Sequence, residues 1–295
     1  MKFLSHFAVK NYNNLKKRMF PAMIAGRSFL CAGFLFAGLV CAAPGARALD
    51  DDGHNATAIT ACGTVISQPG RYFLTNDLKQ CPGFGISIAV SDVEVELRGH
   101  TIQATFGDSA VVANGGTTGL SNLEIEGPGT LTGGTTGIAF ENVHHSRVHN
   151  LVLVRNNFGM GVNAGDFTSD ATVQATVSAD NEIRDNVVTG NIFTGISVNG
   201  GNQNRFIHNN LSGNGLQIGH GLDLFNAQNN VARHNTADAN SSSGISVGPL
   251  GAGNLIDDNT ALGNGGPDLN DENGDCAHNT WTSNSFNSNS PACIQ

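Results

Sequence analysis

The sequence predicts an all-β solenoid, a single domain of parallel coils with three short strands each. Three observations lead there: a triple-asparagine repeat, a glycine-led strand motif in the same period, and a composition hostile to helices. The 295 residues include 38 glycines, with only 6% aromatic and 13% charged side chains, and asparagine is dense after position 180. Glycine disfavours helix interiors through backbone entropy, and asparagine through competing side-chain hydrogen bonds. Both suit short strands joined by tight turns.

The repeat is Asn-x4-Asn-x4-Asn. It occurs as Asn181/Asn186/Asn191, Asn204/Asn209/Asn214, Asn230/Asn235/Asn240, Asn254/Asn259/Asn264 and Asn279/Asn284/Asn289. An apolar or small residue sits two places after the first Asn (Ile183, Phe206, Ala232, Ile256, Trp281) and two after the second (Val188, Leu211, Ala237, Ala261, Phe286). A degenerate earlier copy runs through Ser146, Leu151 and Asn156. Before the sets come glycine-led strands beginning at Gly137, Gly159, Gly195, Gly221 and Gly244, spaced by 22, 36, 26 and 23 residues, and the 36 holds an insertion at 164–180. No such strand can bury its apolar face alone. Stacking coils about 4.8 Å apart pairs every strand and lines up the inward side chains. Asn209, Asn235 and Asn259 then fall at one turn as an asparagine ladder, where asparagine tolerates left-handed backbone and its amide can bond neighbouring coils.

The first 48 residues read as a signal peptide: a basic stretch without acids from Lys2 to Arg27, an apolar run from Phe29 to Ala43, and Ala46-Arg47-Ala48 as a cleavage site. Met19 or Met23 are alternative starts. The apolar run, about 15 residues, is shorter than the roughly 20 a membrane span needs. Residues 49–84 are expected to form an N-terminal cap, and 85–295 the solenoid with a C-terminal cap. Seven of the 15 Lys/Arg and none of the 24 Asp/Glu precede residue 49, leaving 8 basic against 24 acidic side chains. A balance near −16 excludes nucleic acid and anionic membrane as partners and makes a polyanionic substrate awkward unless a cation bridges. Export makes disulfides the natural reading of the four remaining cysteines. Cys62–Cys81 and Cys276–Cys293 are expected because each pair closes a short local loop.

With the repeat in view, the chain resembles the bacterial right-handed parallel β-helix repeat proteins. Their superfamily includes pectate lyases, polygalacturonases, alginate epimerases and the periplasmic nitrous-oxide-reductase maturation protein. The residues that carry the resemblance are the opening run from Cys62-Gly-Thr-Val-Ile to Asn76-Asp-Leu, the segment Val93-Glu-Val-Glu-Leu-Arg-Gly-His-Thr-Ile, and the closing Asp268-Leu-Asn-Asp-Glu-Asn. The resemblance implies a right-handed parallel β-helix with substrate laid along the outward face of the first strand of each coil. That face would carry Ala139, Gly161, Ser197, Asp223 and Ser246 in one column and Glu141, Asn163, Asn199, Phe225 and Gly248 in the next.

Asp223 and His220 are the candidate acid–base residues of such a trough, with Ser197, Asn199, Asn163 and the stacking ring of Phe225 as substrate contacts. Asp166 and Asp170 in the insertion are candidate cation ligands, calcium being the ion that carboxylates suit. His208 and His234 hold equivalent places in adjacent coils, flanked by Asp185 and Asp258, a set suited either to a transition metal or to a solvated edge. Glu141 and Asp223 stand three coils apart, roughly 14 Å, too far for the paired-carboxylate mechanism of glycoside hydrolysis. No Arg or Lys occupies either column to serve as a lyase base. The expected function is an exported, monomeric protein, secreted or periplasmic, that binds an envelope or extracellular polysaccharide. If it is an enzyme, the classes are polysaccharide lyase, glycoside hydrolase or epimerase. A non-catalytic surface rod and a periplasmic metal-handling accessory are the alternatives.

Overall fold

The computed structural model describes residues 47–49, 55–163 and 177–295; residues 1–46 of the leader, Asp166 and Asp170 lie outside them. The described residues form a right-handed parallel β-helix of about 9 turns, without helices. One sheet holds ten strands, from Thr64–Ile66 to Asn289–Ser290, and a second holds fourteen. Arg47–Leu49 pairs antiparallel with Asn55–Ile59 at the edge of the larger sheet, while the coils stack in parallel. In the N-terminal coils two arms of the larger sheet merge. The ten-residue strand Leu123–Thr132 pairs with Val93–Glu96 through its first half and with Thr101–Ala104 through its second. Later coils split that run into three-residue strands such as Glu182–Arg184 and Val187–Thr189, giving three strands per coil. The segment set apart as a cap already supplies coil strands, since Asn55–Ile59 pairs with Gly70–Leu74, and Thr64–Ile66 with Phe84–Ile88.

Period-2 alternation sends every second side chain inward, and the inward columns are buried: Ile196 and Val198 over Leu222 and Leu224 over Ile245 and Val247. Volume is shared between coils, with Phe206 stacked on Ala232 and Ala232 on Ile256, so a large ring meets a methyl.

Three asparagine ladders run beside this core, one for each position of the repeat. In the middle one, the Asn209 backbone N–H donates to Asn235 Oδ1 at 2.9 Å. Its Nδ2 donates to the same oxygen at 3.0 Å and to the Ile183 carbonyl of the preceding coil at 2.8 Å. Asn235 repeats the pattern toward Asn259 and Phe206. The first ladder links Asn181 to Asn204, Asn230, Asn254 and Asn279. The third links Asn156 to Asn191, Asn214, Asn240 and Asn264. An amide suits this because it donates twice and accepts twice on one planar group. Two ladders end on carboxylates, which accept without leaving a donor over: Asn279 Nδ2 donates to Asp271 Oδ2, and Asn264 Nδ2 to Asp268 Oδ1. Burial opposes the ionised form of Asp268. The backbone N–H groups of Asn264, Asn287 and Ser288, with the Asn264 amide, outweigh it and hold the carboxyl below its usual range.

One expectation is corrected here. The ladder asparagines are not the left-handed residues; their predecessors are. His208, His234, Asp185, Asp258 and Asn229 have φ between +53° and +56°. The left-handed residue swings the next one inward, so the asparagine that follows points its amide into the stack. Asp, Asn and His are the non-glycine types most enriched in that region, which explains their recurrence just before the ladders. The glycines at the heads of five strands of the smaller sheet, Gly137, Gly159, Gly195, Gly221 and Gly244, belong to the same device. A Cβ on Gly221 would lie 2.6 Å from the Gly244 carbonyl and 2.9 Å from Asn240 Nδ2, so only glycine admits the third ladder there. The cysteines stand as the two expected pairs, Cys62 with Cys81 (Cα–Cα 5.2 Å) and Cys276 with Cys293 (6.0 Å).

Candidate functional site

The outward columns of the ten-stranded sheet are those the sequence motif predicts. Gly161 pairs with Ser197, Ser197 with Asp223, Asp223 with Ser246, and Ser246 with Asn270. Beside them, Glu141 pairs with Asn163, Asn163 with Asn199, and Asn199 with Phe225. Phe225 leans over Gly248, where a Cβ would meet its ring at 2.7 Å. The column around Asp223 is polar and buried: Asp223 is 5% exposed, Asn163 8% and Ser246 0%, although all three stand at outward positions. Ser197, Asn199 and Phe225 are half-buried. Asn270 Nδ2 donates to Ser246 Oγ at 3.2 Å and extends the polar line into the next coil.

His220 stands at the head of the Asp223 strand. Its Nδ1 accepts the Ser243 N–H at 3.2 Å, and its own N–H lies 3.4 Å from Thr194 Oγ1. Glu141 accepts from Asn114 Nδ2 at 2.5 Å and lies three strands from Asp223, so the register keeps those two carboxylates apart. These strands thus bring together one carboxylate, one imidazole, several amides and hydroxyls, and one aromatic ring, a set chemically suited to holding hydroxyl groups.

His208 and His234 do come together, but face to face: their rings stack with centroids 5.0 Å apart and planes 14° apart. His234 Nδ1 lies 3.0 Å from Asp258 Oδ2 and His208 Nδ1 3.8 Å from Asp185 Oδ1. Each ring turns toward a different aspartate.

The larger sheet carries a cluster that motif reading missed. Glu124 Oε1 is 3.0 Å from His149 Nε2, and Glu126 Oε2 is 3.6 Å from it. His149 is buried, and Asn150 Nδ2 donates to its Nδ1 at 3.1 Å. Among the described residues, Glu124/Glu126/His149 and Glu94/Glu96/Glu126 are the groups whose ligand atoms lie within 4.8 Å of one another, close enough to hold a cation. Desolvation first, and then the Glu94, Glu124 and Glu96 charges, push the Glu126 carboxyl above its usual range against the opposing pull of His149. Around the cluster, Arg71 pairs with Glu94 (2.8 Å) and Glu96 (3.1 Å), and Arg98 with Glu96 (2.7 Å). The signal for it was present in Val93-Glu-Val-Glu and Leu123-Glu-Ile-Glu, two acidic period-2 strands that the fold lays side by side.

Comparison with known proteins agrees with this architecture. Residues 167–295 match the family model described as a right-handed β-helix region. No curated protein matches the sequence. Among solved structures the chain is similar to the A-module of a mannuronan C-5 epimerase from Azotobacter vinelandii, at 13% identity over 81% of this chain and 76% of that one, TM-score 0.52. It is similar to pectate lyase Pel9A at 13% identity over 81% and 70%, TM-score 0.53. It also matches a periplasmic alginate epimerase at 13% identity over 83% of this chain and 64% of that one, TM-score 0.50. These agree on the fold, a right-handed parallel β-helix.

Proposed function

We propose that this is an exported protein that binds a polysaccharide along the outward face of its ten-stranded sheet. The observation that carries the reading is the recess built around Asp223 by Ser197, Ser246 and Gly161, with Phe225 and Asn199 in the adjoining column. Hydroxyl-rich polymers are recognised by such amides, hydroxyls and a single stacking ring. The solved relatives, named for epimerisation of mannuronan or alginate and lysis of pectate, place polymer-acting proteins on this fold, which supports the reading by analogy of fold. Export is supported by the leader pattern and by two cysteine pairs positioned for disulfides.

Binding is the favoured activity over cleavage, because the register sets Glu141 three strands from Asp223. The test is affinity electrophoresis and product analysis on a polysaccharide panel with the protein and its Asp223→Ala variant. Retardation by at least one polymer, weakened in the variant and without chain shortening, is expected. Retardation unaffected by the substitution would remove the recess from the account, and new chain ends would make the protein an enzyme.

A further inference from the structure

The outward face of the fourteen-stranded sheet holds a group of side chains that polysaccharide binding does not use. Glu124 and Glu126 stand on the strand Leu123–Thr132, and His149 stands on Arg147–Val154 in the next coil, in register with Glu126. In the coil before, Glu94 and Glu96 are in register with Glu124 and Glu126. Like charges on paired strands repel, and guanidinium groups answer part of that repulsion. Arg71 pairs with Glu94 and Glu96, Arg98 pairs with Glu96, and Arg147 stands 4.0 Å from Glu124. On the far side of His149, Arg184 turns to Glu182 (3.2 Å) and Asp185 (2.7 Å). Among the described residues, the ion-pair partner of Glu126 is the imidazole of His149 alone.

That imidazole is buried, and its Nε2 lies 3.0 Å from Glu124 Oε1 and 3.6 Å from Glu126 Oε2. A proton on Nε2 can point at one of these oxygens but not at both, whereas a divalent ion among the three atoms engages them all. The separations suit such an ion. Bonds of about 2.1 Å in a tetrahedron set ligand atoms about 3.4 Å apart, and the two observed distances fall on either side of that edge. An imidazole with two carboxylates suits a transition ion such as zinc better than calcium, which takes six to eight oxygens. Glu124 and Glu126 are half-buried, so solvent reaches the site and can fill a fourth position. The other ring nitrogen is already engaged, with the Asn150 amide 3.1 Å from Nδ1. A half-turn of that amide presents its oxygen to a proton on Nδ1 when Nε2 takes the metal, the usual support of a metal-bound imidazole.

The position in the solenoid gives such an ion a task. The asparagine ladders run out at the His149 coil, where Ser146 and Leu151 stand in place of the first and second asparagines. We infer that Glu124, Glu126 and His149 form a binding site for a divalent transition-metal ion, which ties two coils together where the ladders end. The inference does not depend on the polysaccharide reading.

The experiment titrates zinc into the chelator-treated full-length protein by calorimetry, beside Glu124→Gln, Glu126→Gln and His208→Gln, and follows hydrogen exchange with and without zinc. A site for one zinc per chain is expected, weakened about tenfold or more in each glutamate variant and unchanged in His208→Gln. Calcium should bind about tenfold or more weakly than zinc. Zinc should slow exchange in Leu123–Thr132 and Arg147–Val154 of the unsubstituted protein, a readout that holds even where a variant fails to fold. Absence of zinc binding, binding that survives both glutamate substitutions, or protection confined to the His208–His234 edge would overturn the inference. Calcium binding as tight as zinc would overturn its assignment to a transition ion.

Discussion

On the fourteen-stranded sheet the outward column Arg71, Glu94, Glu124, Arg147, Glu182 and Arg205 is charged at every one of six coils. On the ten-stranded sheet the column Val112, Ala139, Gly161, Ser197, Asp223 and Ser246 holds a single charge. Both faces must be tolerable to water, yet they achieve it differently. The first is a lattice in which carboxylates and guanidinium groups engage one another, as at Arg71–Glu94 and Arg233–Asp257. Its side chains are used up in holding neighbouring coils. The second is built of small, nearly uncharged side chains around a buried Asp223. The same repeat therefore makes one charged wall and one nearly uncharged wall, with only the outward residues deciding which is which.

In the C-terminal coils both walls hang on the ladders, so the strongest way to break the comparison is to break a ladder. Asn235→Leu or Asn259→Leu leaves backbone N–H and carbonyl groups of two coils without partners and should cost about 1–3 kcal/mol each, read as a lowered Tm. An unchanged Tm in both variants would mean the ladders do not hold the coils. Next in size, Ser197→Trp fills the recess and should weaken glycan binding more than about tenfold, or 1.4 kcal/mol, with little change in Tm. Arg205→Ala, on the other wall and 3.7 Å from Glu182, should leave binding as it was. Equal losses in the two variants would erase the distinction between the faces.

The pH responses of the two walls should differ in sign. Asp268, its folded pKa depressed, stabilises the C-terminal coil above the ordinary carboxylate range, and that stability is lost as pH falls through its folded value. Asp268→Asn should therefore lower Tm at neutral pH and flatten the acid limb of the Tm curve. Glu126, its folded pKa raised, opposes folding where it is ionised. Glu126→Gln should raise Tm slightly at neutral pH, with the gain vanishing below the usual carboxylate range. A gain that persists in acid would assign the effect to packing.

Much of this was legible in the residues themselves. The triple asparagine and the glycine-led strands fixed the coil register from Gly137 onward, and the outward columns follow from that register by alternation alone. The turn conformation was not legible in the same way. Asparagine is so common in left-handed backbone that the ladder residue itself seemed to need it, whereas His208 and His234 hold that conformation. The burial of Asp223 was hidden because alternation tells which face a side chain is on, not how deep that face lies. The Glu124–Glu126–His149 cluster escaped because the coils supplying Glu94, Glu96, Glu124 and Glu126 lack the asparagine repeat, so nothing in the sequence aligned Glu94 with Glu124. Their strands are held by longer hydrophobic arms, such as Val95 against Ile125, in place of three buried amides.

The central claim is that ligand occupies the ten-stranded face. Hydroxyl-radical footprinting with and without a saturating bound polysaccharide tests it most directly. The account predicts protection of Phe225 and His220, with His208 and His234 on the turn edge oxidised equally in both states. Protection of that edge or of the Glu124–His149 region, with Phe225 unchanged, would contradict it.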